Sequence, residues 1–237
     1  MAISNGIGRG PVDHVGDNWP GIRRADRARG IEPQRFAIQD GEMTTRLKLL
    51  CHASTSAVRT FAFPADEPLD AQGQQRLAAF PKQALLGGRC FTSPALRATQ
   101  TAETLELVAT VEPALRDCDY GRWAGRGFDD VQAQDPRGLA KWLRDPDAAP
   151  HGGETVVALI ARVSAWLDAQ KTTPGTVVAI THASVIRAAI VCALDAEPRS
   201  FWHINVAPLS LIRLSHHGRW TLASMSSGKA DAIDDED

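Results

Sequence analysis

Two segments of the chain carry an apolar run onto a histidine: LKLLCHASTSAVR at 47–59 and TVVAITHASVIR at 176–187, which share the triplet His-Ala-Ser. Histidine offers a lone pair and a proton near neutral pH, so His52 and His182 are the first candidates for nucleophilic or acid–base chemistry. One strand-end histidine alone reads as a hydrogen-bonded structural residue; two in the same local sequence favour a facing pair. Each is followed by small residues and a helix start, which would aim backbone N–H groups at a bound anion. Arg97, in TSPALRATQTAE, falls in the first turn of a helix after a Ser-Pro turn, so it too can point at the crevice. Taken alone it would be a surface arginine paired with Glu103. Arg59 lies on a loop beyond His52 and reads as a clamp or as a solvated side chain. The stretch LRDCDYGRWAG at 115–125 supplies Asp117 and Asp119, and its tryptophan reads as a loop-packing anchor. Glu154, in HGGET, reads chiefly as a carboxylate favoured at a helix start. Cys51 has two readings: a small apolar residue finishing a strand, or a thiol activated by nearby positive charge.

Such residues meet only if several strands end together. Strands are expected at 46–51, 89–94, 111–115 and 176–181. An antiparallel edge at 209–215 and 220–223 turns at HHG. Helices are expected at 70–80 (opened by Asp70), 95–109, 129–134, 136–144, 155–170 and 184–194, with Asp135-Pro136 splitting the third from the fourth. Strands alternating with helices predict an α/β fold, three layers with a mostly parallel central sheet buried on both faces. In such sheets the ligand crevice lies beyond the carboxyl ends of the strands, where His52 and His182 fall.

The domain is expected over 43–225. Residues 1–42, rich in Gly, Arg, Asp and Pro without periodicity, read as a disordered leader, with Met43 an alternative start. An acidic tail is expected over 226–237. A net charge of −2 gives no reason to expect nucleic acid or an anionic membrane as partner. No apolar run approaches the length of a membrane helix, and the four scattered cysteines read as reduced thiols in a cytoplasm. No cluster has metal-ligand spacing, and no cofactor is implied. Oligomeric state is not legible.

Taken in order, these segments resemble the histidine phosphatase superfamily, the phosphoglycerate mutase-like fold. Cys51-His52-Ala53-Ser54-Thr55 corresponds to the family's Arg-His-Gly-x-Thr, and LDAQG at 69–73 to its Leu-Thr-x-x-Gly. TSPALRATQTA matches Ser-Ser-Pro-x-x-Arg-Ala-x-x-Thr-Ala, and LRDCDYGRWAG matches Leu-x-Glu-x-x-x-Gly-x-Trp-x-Gly. Gly153-Glu154-Thr155 stands for Gly-Glu-Ser, and His182-Ala183-Ser184 for the second His-Gly-Gly. The resemblance covers about 46–223. It implies a metal-independent phosphomonoesterase acting on a small phosphorylated metabolite. His52 would form a phosphohistidine; Arg59, Arg97 and His182 would hold the phosphate, and Asp117 would be the acid. An α-ribazole phosphatase is one member that the 115–125 segment looks like. A short 123–151 segment argues against a mutase, which stays as an alternative phosphotransferase reading.

The pattern breaks at Cys51, where the family has arginine. Losing one charge-assisted hydrogen bond to phosphate would cost roughly 1.5–3 kcal/mol, about 10- to 150-fold in rate. A weakened member that binds a phosphorylated ligand without efficient turnover is therefore the second reading. Asp117 is one methylene shorter than the usual glutamate, which makes Asp119 an alternative donor.

Overall fold

The computed structural model describes residues 44–227, so the expected leader and nearly all of the acidic tail lie outside the described residues. Six strands form one sheet in the order β3-β2-β4-β1-β5-β6. They are β1 (Thr45–Cys51), β2 (Arg89–Thr92), β3 (Thr110–Val111), β4 (Gly175–Thr181), β5 (Leu211–His217) and β6 (Arg219–Ser226). The first four run parallel to one another, and β5 and β6, a hairpin turned at Gly218, continue the sheet antiparallel from β1. The sheet is mixed and mostly parallel, as the alternation of strands and helices predicts.

Side-chain alternation assigns the two faces. Leu47, Leu49, Val177, Ala179, Ile212 and Leu214 point into one core with α6 (Val156–Gln170) and α7 (Ala183–Ala193). Leu50, Val178, Ile180 and Leu211 point into the other, with α2 (Ala71–Ala78) and α3 (Leu96–Thr104). Both faces are covered, which is why the central strands are continuously apolar rather than alternating. A third cluster of Phe63, Trp123, Val131, Leu139 and Trp142 fixes the connecting loops, with α4 (Phe128–Gln134) and α5 (Pro136–Trp142). Trp123 is fully buried there, the packing anchor expected of it.

Three expectations change. The helix expected over 95–109 stops at Thr104. Glu106 turns left-handed (φ 57°), while its N–H donates to the Glu103 carbonyl and that of Leu107 to the Ala102 carbonyl. This is a Schellman stop built without glycine, and Leu107 packs against the core cluster that holds Ala102, the apolar contact that often accompanies such motifs. The piece at 111–115 is extended only at its start and then coils into a 3-10 turn at Pro113–Leu115. Arg59 ends a one-turn helix, α1 (Ser56–Arg59), rather than lying on a loop. After it, 61–63 pairs with 125–128: Phe63 N–H donates to the Arg126 carbonyl, and Gly125 and Phe128 N–H donate to the carbonyls of Phe63 and Phe61. This ladder fixes the strap that leads into Pro64, Ala65 and Asp66. No described helix is long and apolar enough to cross a membrane.

Candidate active site

The parallel register of β1 and β4 pairs Cys51 with Thr181, so the next residue on each strand is a histidine. His52 N–H then donates to the Thr181 carbonyl at 2.9 Å, and the two rings stand 5.1 Å apart, edge to face. Their shared local sequence therefore reflects a shared position, side by side at the carboxyl edge of the sheet. β2 ends one strand further along, and the Ser93-Pro94 turn after it starts α3 with Arg97 in its first turn.

Arg97 is 2% exposed and joins the parts. Its Nε donates to His52 Nε2 at 3.2 Å, Nη2 to Asp117 Oδ2 at 2.7 Å and Nη1 to the Ala65 carbonyl at 2.6 Å. His52 Nδ1 lies 2.7 Å from the Ala53 carbonyl, which can only accept, so Nδ1 carries the proton. That leaves a lone pair on Nε2. Burial and then the Arg97 charge lower the His52 pKa to about 4, so the ring is neutral at pH 7. Burial likewise holds His182 neutral, against the pull of Asp117. His182 Nε2 is 2.7 Å from the Ser93 hydroxyl, and Nδ1 is 3.3 Å from Asp117 Oδ2, at an angle that makes no hydrogen bond.

Burial opposes ionisation of Asp117, yet its carboxyl stays well below the usual range. With His182 neutral, the work falls to the Arg97 guanidinium and to the hydrogen bonds on Oδ1 from the Ser184 hydroxyl and from Cys118 N–H at 2.8 Å. A cavity of about 310 Å³ opens onto Arg97 and Asp117, with Pro64, Asp66, Arg116 and Asp119 among its walls. The two histidines lie buried at 6% and 1% exposure.

Of the residues expected at the site, His52, Arg97, Asp117 and His182 come together. Arg59 does not join them: it is more than half exposed and pairs with Asp70 at 3.0 Å. Asp70 also caps α2 through Gly73 N–H and accepts from Ser54, so its charge is already engaged with this arginine. The activated-thiol reading of Cys51 is overturned. The thiol is 2% exposed, and burial, followed by the Asp117 charge, pushes its pKa up to about 12. It packs with Leu115, Cys118 and Val185 as a strand-finishing apolar residue. The expected anion-facing amides hold only in part: Ala53 N–H is taken by the Thr101 hydroxyl at 3.1 Å, and the helix after His52 is a single turn.

Glu154 does more than start a helix. Its carboxylate receives Arg162 Nε at 2.9 Å and Nη2 at 2.8 Å. Arg162 in turn donates to the carbonyls of Ala114, Arg116 and Asp117, at 2.7, 3.1 and 3.4 Å, and so pins the loop that presents Asp117. Arg162 carried no signal in sequence, being one polar residue on an otherwise ordinary helix. Ser93 and Ser184 did, as the small residues beside Pro94 and His182. Among the described residues no three His, Cys, Asp or Glu side chains gather as a metal site.

A mostly parallel sheet thus carries a histidine pair and an arginine together at its carboxyl edge. Residues 47–227 match the model of the histidine phosphatase superfamily (branch 1), and the chain belongs to that family. A bifunctional protein of Mycobacterium tuberculosis is 31% identical over 182 residues, 70% of this chain and 50% of the relative. The chain thus spans about half the length of that curated relative. The solved mycobacterial glucosyl-3-phosphoglycerate phosphatase in complex with VO3 is 26% identical. It superposes with a TM-score of 0.68 over 75% of this chain and 96% of that one. A structure described as a putative α-ribazole-5'-P phosphatase from Escherichia coli shares the fold, at 22% identity and a TM-score of 0.67 over 78% of this chain and 97% of that one.

Proposed function

We propose that the chain is a phosphomonoesterase that hydrolyses a small phosphorylated metabolite through a phosphohistidine on His52. The observation that supports this most directly is the single guanidinium of Arg97, set between His52 Nε2 and Asp117 Oδ2. A phosphate taking the place of those two partners would sit with its phosphorus before the Nε2 lone pair. Bond formation from Nε2 to phosphorus then breaks the ester bond, and the departing oxygen takes a proton from Asp117.

Asp117 is ionised in the resting site, so it must first take that proton from solvent water or from a substrate bound as the phosphate monoanion. Drawing Arg97 away and placing a dianion beside the carboxylate both favour its protonated form. In the second step the Asp117 carboxylate takes a proton from water, the hydroxide attacks phosphorus, and the N–P bond breaks to restore neutral His52. His182, with its Nε2 at Ser93, adds a further donor against the phosphoryl charge, and Arg97 supplies most of the charge stabilisation such transfer needs. Arg59, which pairs with Asp70 outside this cluster, would act as a clamp only after leaving that partner. No metal enters this sequence, and the free thiols suit a reducing cytoplasm.

The test is hydrolysis of p-nitrophenyl phosphate with acid-stable and acid-labile phosphate counted on the protein. Turnover with acid-labile label, both lost in His52→Ala, is expected; turnover surviving that change overturns the reading. Cys51 supports a second reading, a member that binds phosphate esters and turns them over slowly, because no cation stands where the family has arginine. Single-digit turnovers per hour with micromolar ligand affinity would select it. Mutase chemistry, the third, would show as phosphate moved between phosphoglycerates rather than released. An α-ribazole ester belongs in the same substrate panel.

A further inference from the structure

Building on the phosphatase reading, we infer that His151 is a positioning residue for Asp117, acting through one hydrogen bond that shapes the turn on which the Asp117 loop is docked. His151 opens the HGGET segment and is 1% exposed. Gly153 N–H donates to its Nδ1 at 3.0 Å. Only a lone pair can accept there, so the ring proton sits on Nε2. Burial lowers the pKa of the ring from 6.5; the Asp119 charge opposes this and the Arg122 charge adds to it, so the ring is neutral at pH 7. The bond folds 151–153 back on itself through Gly152, at a φ of 80° that glycine adopts without strain.

A turn of that shape meets the loop at 119–122 with its backbone. The His151 carbonyl accepts from Arg122 N–H at 3.0 Å, and Glu154 N–H donates to the Asp119 carbonyl at 2.8 Å. The two segments lie so close that a Cβ on Gly153 would stand 2.1 Å from the Asp119 carbonyl oxygen, and one on Gly121 2.3 Å from that of His151. The ring itself packs against Trp123, Tyr120 and Trp142, with centroids 5.0, 6.1 and 6.4 Å away, and its Nε2 has no hydrogen-bond partner among the described residues. An apolar side chain would suit those three rings and leave no buried donor unpaired. What only the imidazole adds is the acceptor at Nδ1. Arg162 holds the loop from Ala114 to Asp117, and the His151 turn holds it from Asp119 to Arg122. Asp117 lies between the two clasps, so loosening the second shifts its carboxyl against a leaving oxygen while His52 and Arg97 stay in place.

The test uses phenyl phosphate and p-nitrophenyl phosphate. p-Nitrophenolate departs without a proton, whereas the more basic phenolate needs one from the acid. Because kcat/KM runs only as far as departure of the leaving group, its ratio, phenyl over p-nitrophenyl, reads the acid and cancels a general loss of folded protein. His151→Asn puts an acceptor where Nδ1 stands, and His151→Gln puts it further out, near the position of Nε2. His151→Gln is expected to lower the ratio at least about tenfold and His151→Asn to keep it within about threefold of the parent, since roughly an ångström of misplacement can cost that much or more. An unchanged ratio in His151→Gln overturns the inference. Two measurements need no turnover. Nitrogen NMR of the parent at pH 7 is expected to show the lone pair on Nδ1, and amide exchange at Arg122 and Glu154 is expected to quicken in His151→Gln and not in His151→Asn. A protonated Nδ1, or exchange that does not move, overturns the inference whether or not the esters are hydrolysed. A parent that hydrolyses neither ester sinks the phosphatase reading alone, and the clasp is then decided by the exchange rates.

Discussion

A buried, neutral His52 makes stability depend on pH in a way that can be calculated. Burial, then the Arg97 guanidinium, bring its pKa from 6.5 down to about 4 in the folded protein. In the unfolded chain the ring returns to about 6.5. Because the folded value is the lower one, the unfolded state binds the extra proton between pH 4 and pH 6.5, and stability rises with pH over that window. The contribution is complete above about pH 6.5 and is lost as the pH falls toward 4. At about 1.4 kcal/mol per tenfold in proton affinity, the whole difference is about 3 kcal/mol, and about 2 kcal/mol of it disappears between pH 7 and pH 5. Carboxylates titrate over the same range, so the readout is a comparison. Urea unfolding of the parent and of His52→Asn at pH 7 and pH 5 should show the variant losing about 2 kcal/mol less. Equal losses in the two proteins would refute a neutral, buried His52. For the same reason the acid limb of kcat/KM should fall below pH 5, well under that of an ordinary histidine.

Two further outcomes follow from packing. A methyl group on Gly73 would stand 2.3 Å from the Ser54 carbonyl oxygen, so Gly73→Ala must displace α2 or the His52 loop. A loss of roughly 2 kcal/mol or more in thermal or urea unfolding is expected, with lower activity; an unchanged midpoint would contradict the close approach. Cys51 should resist iodoacetamide in the native protein at pH 8 and react once unfolded, as mass spectrometry of the labelled peptide would show. Native labelling at the rate of a free thiol would mean that the strand end opens.

The central sheet was legible because its strands are buried on both faces and leave continuous apolar runs, and because capping residues such as Asp70 and Thr155 mark helix starts. The meeting of His52, His182 and Arg97 was legible too, since parallel strands ending together place their next residues side by side. What stayed hidden depends on direction rather than type. Leu105, Leu107 and Val108 continue a good helical pattern past Thr104, and only the left-handed Glu106 stops it. Arg59 could face the crevice or Asp70, and spacing does not distinguish them. Cys51 reads chiefly as a small residue finishing a strand, and only its burial removes the reactive-thiol alternative. Arg162 matters through carbonyls that no side-chain motif encodes.

The full occupancy of Arg97 has a consequence for how ligands come and go. Each of its arms already holds an acceptor, at His52, Asp117 and Ala65, so its charge is engaged within the chain and is not a free basin of positive potential. An incoming anion gains only the difference between the bonds it makes and those it displaces. Inorganic phosphate, with no leaving group to occupy the mouth, has the smallest difference to gain. Under the proposed reaction the product is expelled as the guanidinium closes back onto its own chain, and the pairing that looks like an obstacle to binding becomes the step that clears the site.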